Sequence, residues 1–273
     1  MPLRAHLVEL RHRLFLSVLG IMVGAVIGWF LYTPVFQALQ RPILDVAKSR
    51  QALITLNFPG LAASFDMQIK VSFFLGVLIS SPWWIYQLWA FITPGLTRKE
   101  RGYAFGFVGV AVPLFLIGAY LAWWALPNAV RLLTGFTPKG AANFIDAQVY
   151  LGFVMRLMLA FGLAFELPIA ILLLSALGII KPQFLSKYRR HAIVITVTVA
   201  AFITPDASPT TLFALSVPLY LLYELGVALS YFVTRKRRQR AEAAEREERM
   251  MAQRAEAEEA VRRSPRRLGG ANA

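Results

Sequence analysis

Residues 150–178 read YLGFVMRLMLAFGLAFELPIAILLLSALG, and this stretch decides the fold class of the chain. Its 29 residues carry only two charged side chains, Arg156 and Glu166. A helix needs about 20 apolar residues to cross a bilayer, so this stretch is long enough to span one. The sequence therefore predicts an all-α integral membrane protein.

Five further apolar runs predict further spans. They cover residues 14–32, 69–91, 104–126, 192–203 and 212–232. The run at 192–203 is short against the roughly 20 residues of a spanning helix, which leaves two interpretations open. One is a short span in a locally thinned membrane, since a length mismatch costs only fractions of a kcal/mol per Å, and the other is a re-entrant segment. We expect six transmembrane helices, with the fifth and sixth spans shorter than the rest, and a structured extracytoplasmic cap at residues 33–68.

The composition excludes several classes of protein. Hydrophobic residues make up 57% of the 273 residues and charged residues only 16%, whereas a soluble domain has about 25% charged residues. The chain has no cysteine, which excludes disulfides and thiolate metal sites, and its three histidines disfavour a histidine metal cage. It also has no GxSxG, HExxH or P-loop motif. We therefore expect no metal, no cofactor and no enzymatic activity.

The distribution of basic residues predicts the orientation. The segments on the side of the N-terminus carry ten Lys and Arg residues without the tail, against five on the other side, which places both termini in the cytoplasm by the positive-inside rule. We divide the chain into a cytoplasmic N-terminal segment, a six-helix transmembrane domain and a cytoplasmic tail. Their bounds are 1–13, 14–233 and 234–273. The tail carries 12 of the chain's basic residues, and we expect it to be disordered or a frayed helix that touches anionic lipid headgroups rather than nucleic acid.

The N-terminal segment has the pattern of an amphipathic helix. One face carries leucines at positions 3, 7, 10 and 14, and another carries His6, Glu9 and Arg13. We expect this helix to lie in the membrane interface before it turns into the first span. Two interpretations remain open: a surface anchor with a local Glu9–Arg13 pair, or an inner-face docking site that includes Glu9 and Arg11.

Two glutamates, Glu100 and Glu166, lie where the sequence has few or no other acidic residues. Glu100 is the only acid in the short cytoplasmic loops, and a carboxylate there suits an incoming guanidinium, which can bind it with two hydrogen bonds. Glu166 lies near the middle of the fourth span, where a charge costs about 2.5–3.5 kcal/mol on insertion scales. It should face a cavity or a polar partner, with Gln87 and Glu224 as candidate companions, or else be satisfied internally.

Two basic residues near the outer ends of the predicted spans, Lys70 and Arg156, do not require a functional role. Lys70 can extend its ammonium group to the membrane surface. Arg156 can do the same or pair with Asp146. A different functional class also stays open at this point, a proton-coupled small-solute transporter that uses Glu166 as its proton carrier.

Three motifs together resemble the TatC family, the polytopic subunit of the twin-arginine protein translocase. Residues 6–14 read HLVELRHRL and are similar to the HLxELRxRL signature of that family. Residues 81–101 read SPWWIYQLWAFITPGLTRKER and are similar to its SPxxxYQxWxFIxPGLxxxER block, while FGLAFELP at 161–168 is similar to its FGxxFExP motif. The resemblance runs in order from about residue 6 to residue 233 and leaves the tail outside it.

The resemblance implies a function and a cellular location. The family is the receptor for signal peptides with a twin-arginine motif and exports folded proteins across the bacterial inner membrane. It works with the single-span subunits TatA and TatB in a multimeric receptor complex, is powered by the proton-motive force, needs no cofactor and is not an enzyme. Matched by motif, the signal-peptide site comprises Glu9, Leu10, Arg11, Phe91 and Glu100.

The resemblance also implies roles outside that site. Glu166 and Gln87 fall on the concave intramembrane face of the family's fold, and Pro42 matches a functionally sensitive proline of the outer cap. In one place the chain departs from the family pattern, which has an aspartate directly before the proline of the last outer loop. Here Ser208 holds that position, and Asp206 stands two residues earlier. The sequence does not decide whether Asp206 performs the role of the family's aspartate.

Overall fold

A computed structural model describes residues 3–50, 54–92, 98–135, 143–176, 180, 182–204 and 209–263. These residues form helices, apart from two short strands. In chain order the elements are α1 (Leu3–Phe30), α2 (Tyr32–Arg50), β1 (Ile54–Asn57), α3 (Ala63–Ile79), α4 (Ser81–Ile92), α5 (Arg98–Thr134), β2 (Asn143–Asp146), α6 (Ala147–Ala176), α7 (Pro182–Lys187), α8 (Arg189–Ile203) and α9 (Pro209–Arg263). The expectation of a mainly helical chain is confirmed.

Four helices of the described chain are long and apolar enough to cross a membrane. Their apolar segments are His6–Phe30, Val108–Arg131, Ala147–Ser175 and Leu212–Lys236, and the bent pair of α3 and α4 forms a fifth candidate. Helix α8 has 15 residues, about 22 Å of helix, and is shorter than the roughly 30 Å hydrocarbon core of a bilayer. The sixth span therefore remains a prediction.

The expected short final span is wrong. The apolar part of α9 has 25 residues, as many as the apolar part of α1. Helix α9 also continues without a break to Arg263, because the tail that follows the apolar part is rich in Ala, Glu and Arg. These residues are strong helix formers, so nothing ends the helix where its apolar part ends.

The expected turn between the N-terminal segment and the first span is also absent from α1. This helix is continuous from Leu3 to Phe30. The sequence explains the difference, since no Gly or Pro occurs between Leu3 and Gly20 to interrupt the backbone hydrogen bonds. The position of α1 in the bundle therefore fixes the direction of its N-terminal turns.

The second predicted span is bent by 59° between α3 and α4. Pro82 causes the break, because it has no N–H to donate to the carbonyl four residues earlier. The backbone N–H of Trp83 bonds to the carbonyl of Ser80 at 2.9 Å and starts the next helix. The indole of Trp83 then donates to the carbonyl of Leu16 at 2.9 Å, which ties α4 to α1.

Helix α1 packs on α3 with the two backbones in contact. A Cβ atom added to Gly24 would lie 2.7 Å from the carbonyl oxygen of Gly76, and one added to Gly28 would lie 2.7 Å from that of Ser72. Small residues spaced by four allow such close approach in membrane helices. Gly20, Gly24 and Gly28 have this spacing, which the sequence analysis did not use.

The cap consists of α2 and a two-stranded parallel sheet. Strands β1 and β2 pair in register from Ile54 with Asn143 to Asn57 with Asp146, and so join the loop after α2 to the loop after α5. Residues 33–50 of the segment predicted as the cap lie within α2. The apolar side of α2 packs into the main core, with side chains of α3, α5 and α6.

Pro42 lies inside α2 and is buried. A proline cannot donate to the carbonyl four residues earlier, which here belongs to Ala38. The indole of Trp123 on α5 donates to that carbonyl at 3.3 Å, and the hydroxyl of Tyr150 on α6 donates to the next carbonyl, that of Leu39, at 3.3 Å. Near Pro42, side chains of α5 and α6 therefore bond to the backbone of α2 and hold this helix in place.

The backbone contact between α1 and α3 yields a prediction. Gly24→Leu should force the two helices apart and lower the free energy of unfolding by about 1–3 kcal/mol, as overpacked cores do. Gly109→Leu is the matched control, since a Cβ added there meets nothing within 4 Å. Thermal melts of the detergent-solubilised protein, followed by size-exclusion chromatography, measure the difference. Equal melting temperatures for the two variants would contradict the contact.

Candidate functional site

Five side chains of α1 and α4 form a cluster at the N-terminal end of α1. We call His6, Glu9, Arg13, Gln87 and Phe91 the N-terminal cluster. The rings of His6 and Phe91 stack with centroids 4.4 Å apart and planes inclined by 19°. Arg13 donates from Nη1 to Oε1 of Gln87 at 3.2 Å. Both contacts join the helices through the polar face that the sequence predicted for α1.

The local pair of Glu9 and Arg13 is confirmed. Arg13 donates from Nε at 3.1 Å and from Nη2 at 2.9 Å, and both bonds end on Oε1 of Glu9. The Glu9 side chain is 24% exposed and that of Arg13 is 25% exposed. Among the described residues, Oε2 of Glu9 has no hydrogen-bond partner. Within the described part of the chain, the Glu9 carboxylate thus has one unbonded oxygen beside a guanidinium that is already bound.

Leu10 and Arg11 do not belong to the cluster. Leu10 is 40% exposed, and Arg11 is exposed and lines a shallow pocket on another face of α1 with Val8, His12 and Phe15. The structure thus brings Glu9 and Phe91 together and leaves the other two on the outside of the helix. Glu100 lies in the first turn of α5, and its side chain lies outside the described part of the structure.

Gln87 and Glu224 do not accompany Glu166. Gln87 is 3% exposed and bonds to Arg13 instead. The two oxygens of Glu224 accept one bond from Arg189 at 2.8 Å and one from Tyr220 at 2.6 Å. The expectation that either residue pairs with Glu166 is wrong, because each has a charged or polar neighbour at closer range.

Glu166 is a buried carboxyl on α6. Both of its oxygens are inaccessible to solvent, and neither has a hydrogen-bond partner among the described residues. The backbone of Phe115 on α5 lies near the carboxyl, outside good hydrogen-bonding geometry. An unpaired buried polar group costs free energy, so a polar group that reached the Glu166 carboxyl would recover part of that cost.

Lys70, Arg156 and Asp146 each have a partner close by. Lys70 pairs with Asp66 at 2.6 Å. Arg156 donates to the carbonyl of Gly152 at 3.0 Å and to that of Phe202 at 3.4 Å. Asp146 accepts the backbone N–H of residue 148 at 2.7 Å and so caps the start of α6. The alternative in which Arg156 pairs with Asp146 is therefore wrong.

Two further predictions concern the outer loop and metals. Asp206 and Ser208 lie outside the described residues, so the exchange between them is untested. Within the described ranges, no group of three or more His, Asp or Glu side chains is placed to hold a metal ion.

The family resemblance placed Phe91 with Glu9, but the sequence did not predict that Gln87 and Phe91 contact Arg13 and His6. The signal was present, because Gln87 and Phe91 are four residues apart and share one face of a helix. His6 and Arg13 are seven residues apart and share a face of α1. These two faces can meet only if α4 crosses α1, and the spacing alone does not predict the bend before α4 that produces the crossing.

Comparison with known proteins identifies the family. The family model described as "Sec-independent protein translocase protein (TatC)" matches residues 5–218. A TatC protein from Xylanimonas cellulosilytica is 48% identical over 231 residues, which cover 84% of each chain. A TatC protein from Aquifex aeolicus is 37% identical over 242 residues, which cover 88% of this chain and 98% of the relative.

The fold agrees with the sequence comparison. A crystal structure described as the twin-arginine translocase receptor TatC matches with a TM-score of 0.76 and 34% identity. The match covers 84% of this chain and 99% of the crystallised one. The chain therefore belongs to the TatC family of Sec-independent protein translocase proteins.

Proposed function

We propose that this chain is the signal-peptide receptor and core subunit of a twin-arginine translocase. In this role it exports folded proteins across the bacterial inner membrane, uses the proton-motive force and catalyses no reaction itself. The observation that carries the proposal is the N-terminal cluster. Its Glu9 carboxylate is partly exposed, has one oxygen that no described residue bonds, and shares a helix face with the His6 ring that stacks on Phe91. The crystallised relative is described as a receptor of the same translocase.

The chemistry of the cluster suits a twin-arginine peptide. Two guanidinium groups need two carboxylates at the cytoplasmic surface, and Glu9 and Glu100 are the acids that the N-terminal segment and the short cytoplasmic loops provide. A planar guanidinium fits a carboxylate better than a lysine ammonium does, because it offers two parallel N–H donors. We propose that Glu9 and Glu100 bind the arginine pair and that Phe91, Leu10 and Arg11 complete the site.

The proposed topology has six spans with both termini in the cytoplasm. Helix α8 is the fifth span and crosses a locally thinned membrane, since its apolar side chains are largely exposed. On this topology the cap and Pro42 lie outside the cytoplasm. Asp206 lies on the same side by this topology.

We propose that TatA and TatB bind the bundle through single membrane-spanning helices. Glu166 provides the polar contact, and the exposed apolar side chains of α8 and α9 provide the packing surface. The small-solute transporter considered from the sequence gains no support, since the matched family is described as a protein translocase.

The topology can be tested with a single cysteine, because the natural chain has none. Lys139→Cys should react with a membrane-impermeant maleimide in intact spheroplasts, since the positive-inside rule places this residue outside the cytoplasm. Ala243→Cys, in the tail, is the matched control and should react only after the membrane is opened. Protection of residue 139 in intact spheroplasts would overturn the proposed orientation.

The docking site can be tested by neutralising its carboxylates. Glu9→Gln and Glu100→Gln should each reduce export of a twin-arginine reporter roughly tenfold or more, since each loses a charge-assisted bond to a guanidinium. The measurement is the exported fraction of the reporter at equal amounts of membrane-inserted protein. Glu245→Gln removes the same charge from the exposed tail and should leave export unchanged. Wild-type export by both site variants would refute the site.

Glu166 tests the partner contact. Glu166→Gln should be mild because it keeps the shape and hydrogen-bonding capacity of the side chain. Glu166→Ala should weaken co-purification of the single-span partner, because the partner's polar group loses its hydrogen bond to the carboxyl. Glu166→Lys should weaken it most, because it introduces the opposite charge. The amounts of partner and of chain are measured together after affinity purification. Unchanged co-purification in all three variants would make Glu166 an internal structural carboxyl.

A further inference from the structure

The carboxylate of Glu9 is already occupied by a guanidinium of the same chain. Arg13 reaches it with two of its N–H groups, at 3.1 and 2.9 Å. This is the same donor group that a twin-arginine peptide presents. Any arginine that uses both oxygens of Glu9 must therefore replace Arg13 on Oε1.

Arg13 has a second acceptor that stays available when Glu9 is taken. Its Nη1 donates to Oε1 of Gln87 at 3.2 Å, and Gln87 is 3% exposed and held on α4. Losing the bonds to Glu9 would thus leave the Arg13 side chain anchored within the cluster. The carbonyl of Arg13 also accepts the hydroxyl of Ser17 at 2.9 Å, so the backbone at this point is fixed as part of α1.

The bonding of Glu9 is compatible with this exchange. Both bonds from Arg13 end on Oε1, and none of the residues that the structure describes bonds to Oε2. An incoming guanidinium can bind Oε2 first and then take the second oxygen as Arg13 withdraws toward Gln87. The number of charge-assisted bonds on Glu9 does not fall during the exchange, and the carboxylate is never left unpaired.

We propose that Arg13 is an internal competitor of the signal peptide, which occupies Glu9 in the empty receptor and lowers the affinity for the peptide. This inference rests on the proposed function of Glu9. It gives Arg13, rather than the exposed Arg11, the role of setting how tightly the arginine pair is held. A receptor that must pass its peptide onward needs such a limit, because affinity gained at the docking step slows release.

The test measures peptide binding by the full-length protein in lipid nanodiscs. The probe is a fluorescent synthetic peptide with an arginine pair ahead of an apolar segment, and the readouts are Kd and the dissociation rate. Arg13→Gln keeps a side chain that can bond to Gln87 but removes the competing charge. It should tighten binding roughly two- to fivefold, the range that a partly exposed ion pair spans, chiefly through slower dissociation.

Two further variants make the result specific. Arg4→Gln removes the same charge from the same helix, but Arg4 is exposed and lies roughly 140° around α1 from Glu9. It should change the affinity less than Arg13→Gln does. In a chain that already carries Glu9→Gln, the substitution Arg13→Gln should have no additional effect, because nothing is left to compete for.

The outcomes separate the inference from the proposed function. If the wild-type chain binds the peptide and Glu9→Gln weakens binding, but Arg13→Gln matches Arg4→Gln, the competitor is refuted and the docking site stands. Weaker binding by Arg13→Gln also refutes the competitor, since Arg13 then positions Glu9 for the peptide. If Glu9→Gln leaves peptide binding unchanged, the docking role of Glu9 itself fails.

Discussion

The contact between the backbones of α1 and α3 determines where the rest of the molecule lies. Gly24 and Gly28 face the backbone of α3 with no room for a side chain, so α1 has one position and one rotation on that helix. Because α1 is unbroken from Leu3 to Phe30, fixing its middle also fixes its first turns. The cluster side chains that α1 carries, those of His6, Glu9 and Arg13, are therefore oriented by glycines about three to six turns away.

The bend before α4 completes this arrangement. A straight second span would run beside α1 along its whole length, whereas the 59° bend at Ser80 directs α4 toward the N-terminal end of α1. The indole of Trp83 fixes the crossing by its bond to the carbonyl of Leu16. Further along α4, Gln87 and Phe91 meet Arg13 and His6. One proline and one tryptophan thus bring α4 into contact with the first turns of α1.

The sequence predicted the elements better than it predicted their contacts. Hydrophobic runs locate helices because burial in lipid or protein requires them, and the motifs placed Glu9 and Phe91 in one site. The partner of Gln87 could not be predicted, because it depends on the crossing of two helices that are 74 residues apart in the chain. The continuity of α1 could have been predicted from its lack of Gly and Pro, but the amphipathic pattern favoured an interfacial segment that turns.

Glu9 and Glu166 show how the same side chain is used in two environments. Glu9 sits at a partly exposed end of the bundle, where its own helix supplies a guanidinium four residues on, so the empty site is stable without a ligand. Glu166 has both oxygens buried, with no partner in the described chain. Because an unpaired carboxyl at membrane depth is costly, the bundle keeps a free energy that a polar group from another helix would recover. Glu9 is thus paired within its own helix, whereas a hydrogen bond to Glu166 would have to come from outside the described residues.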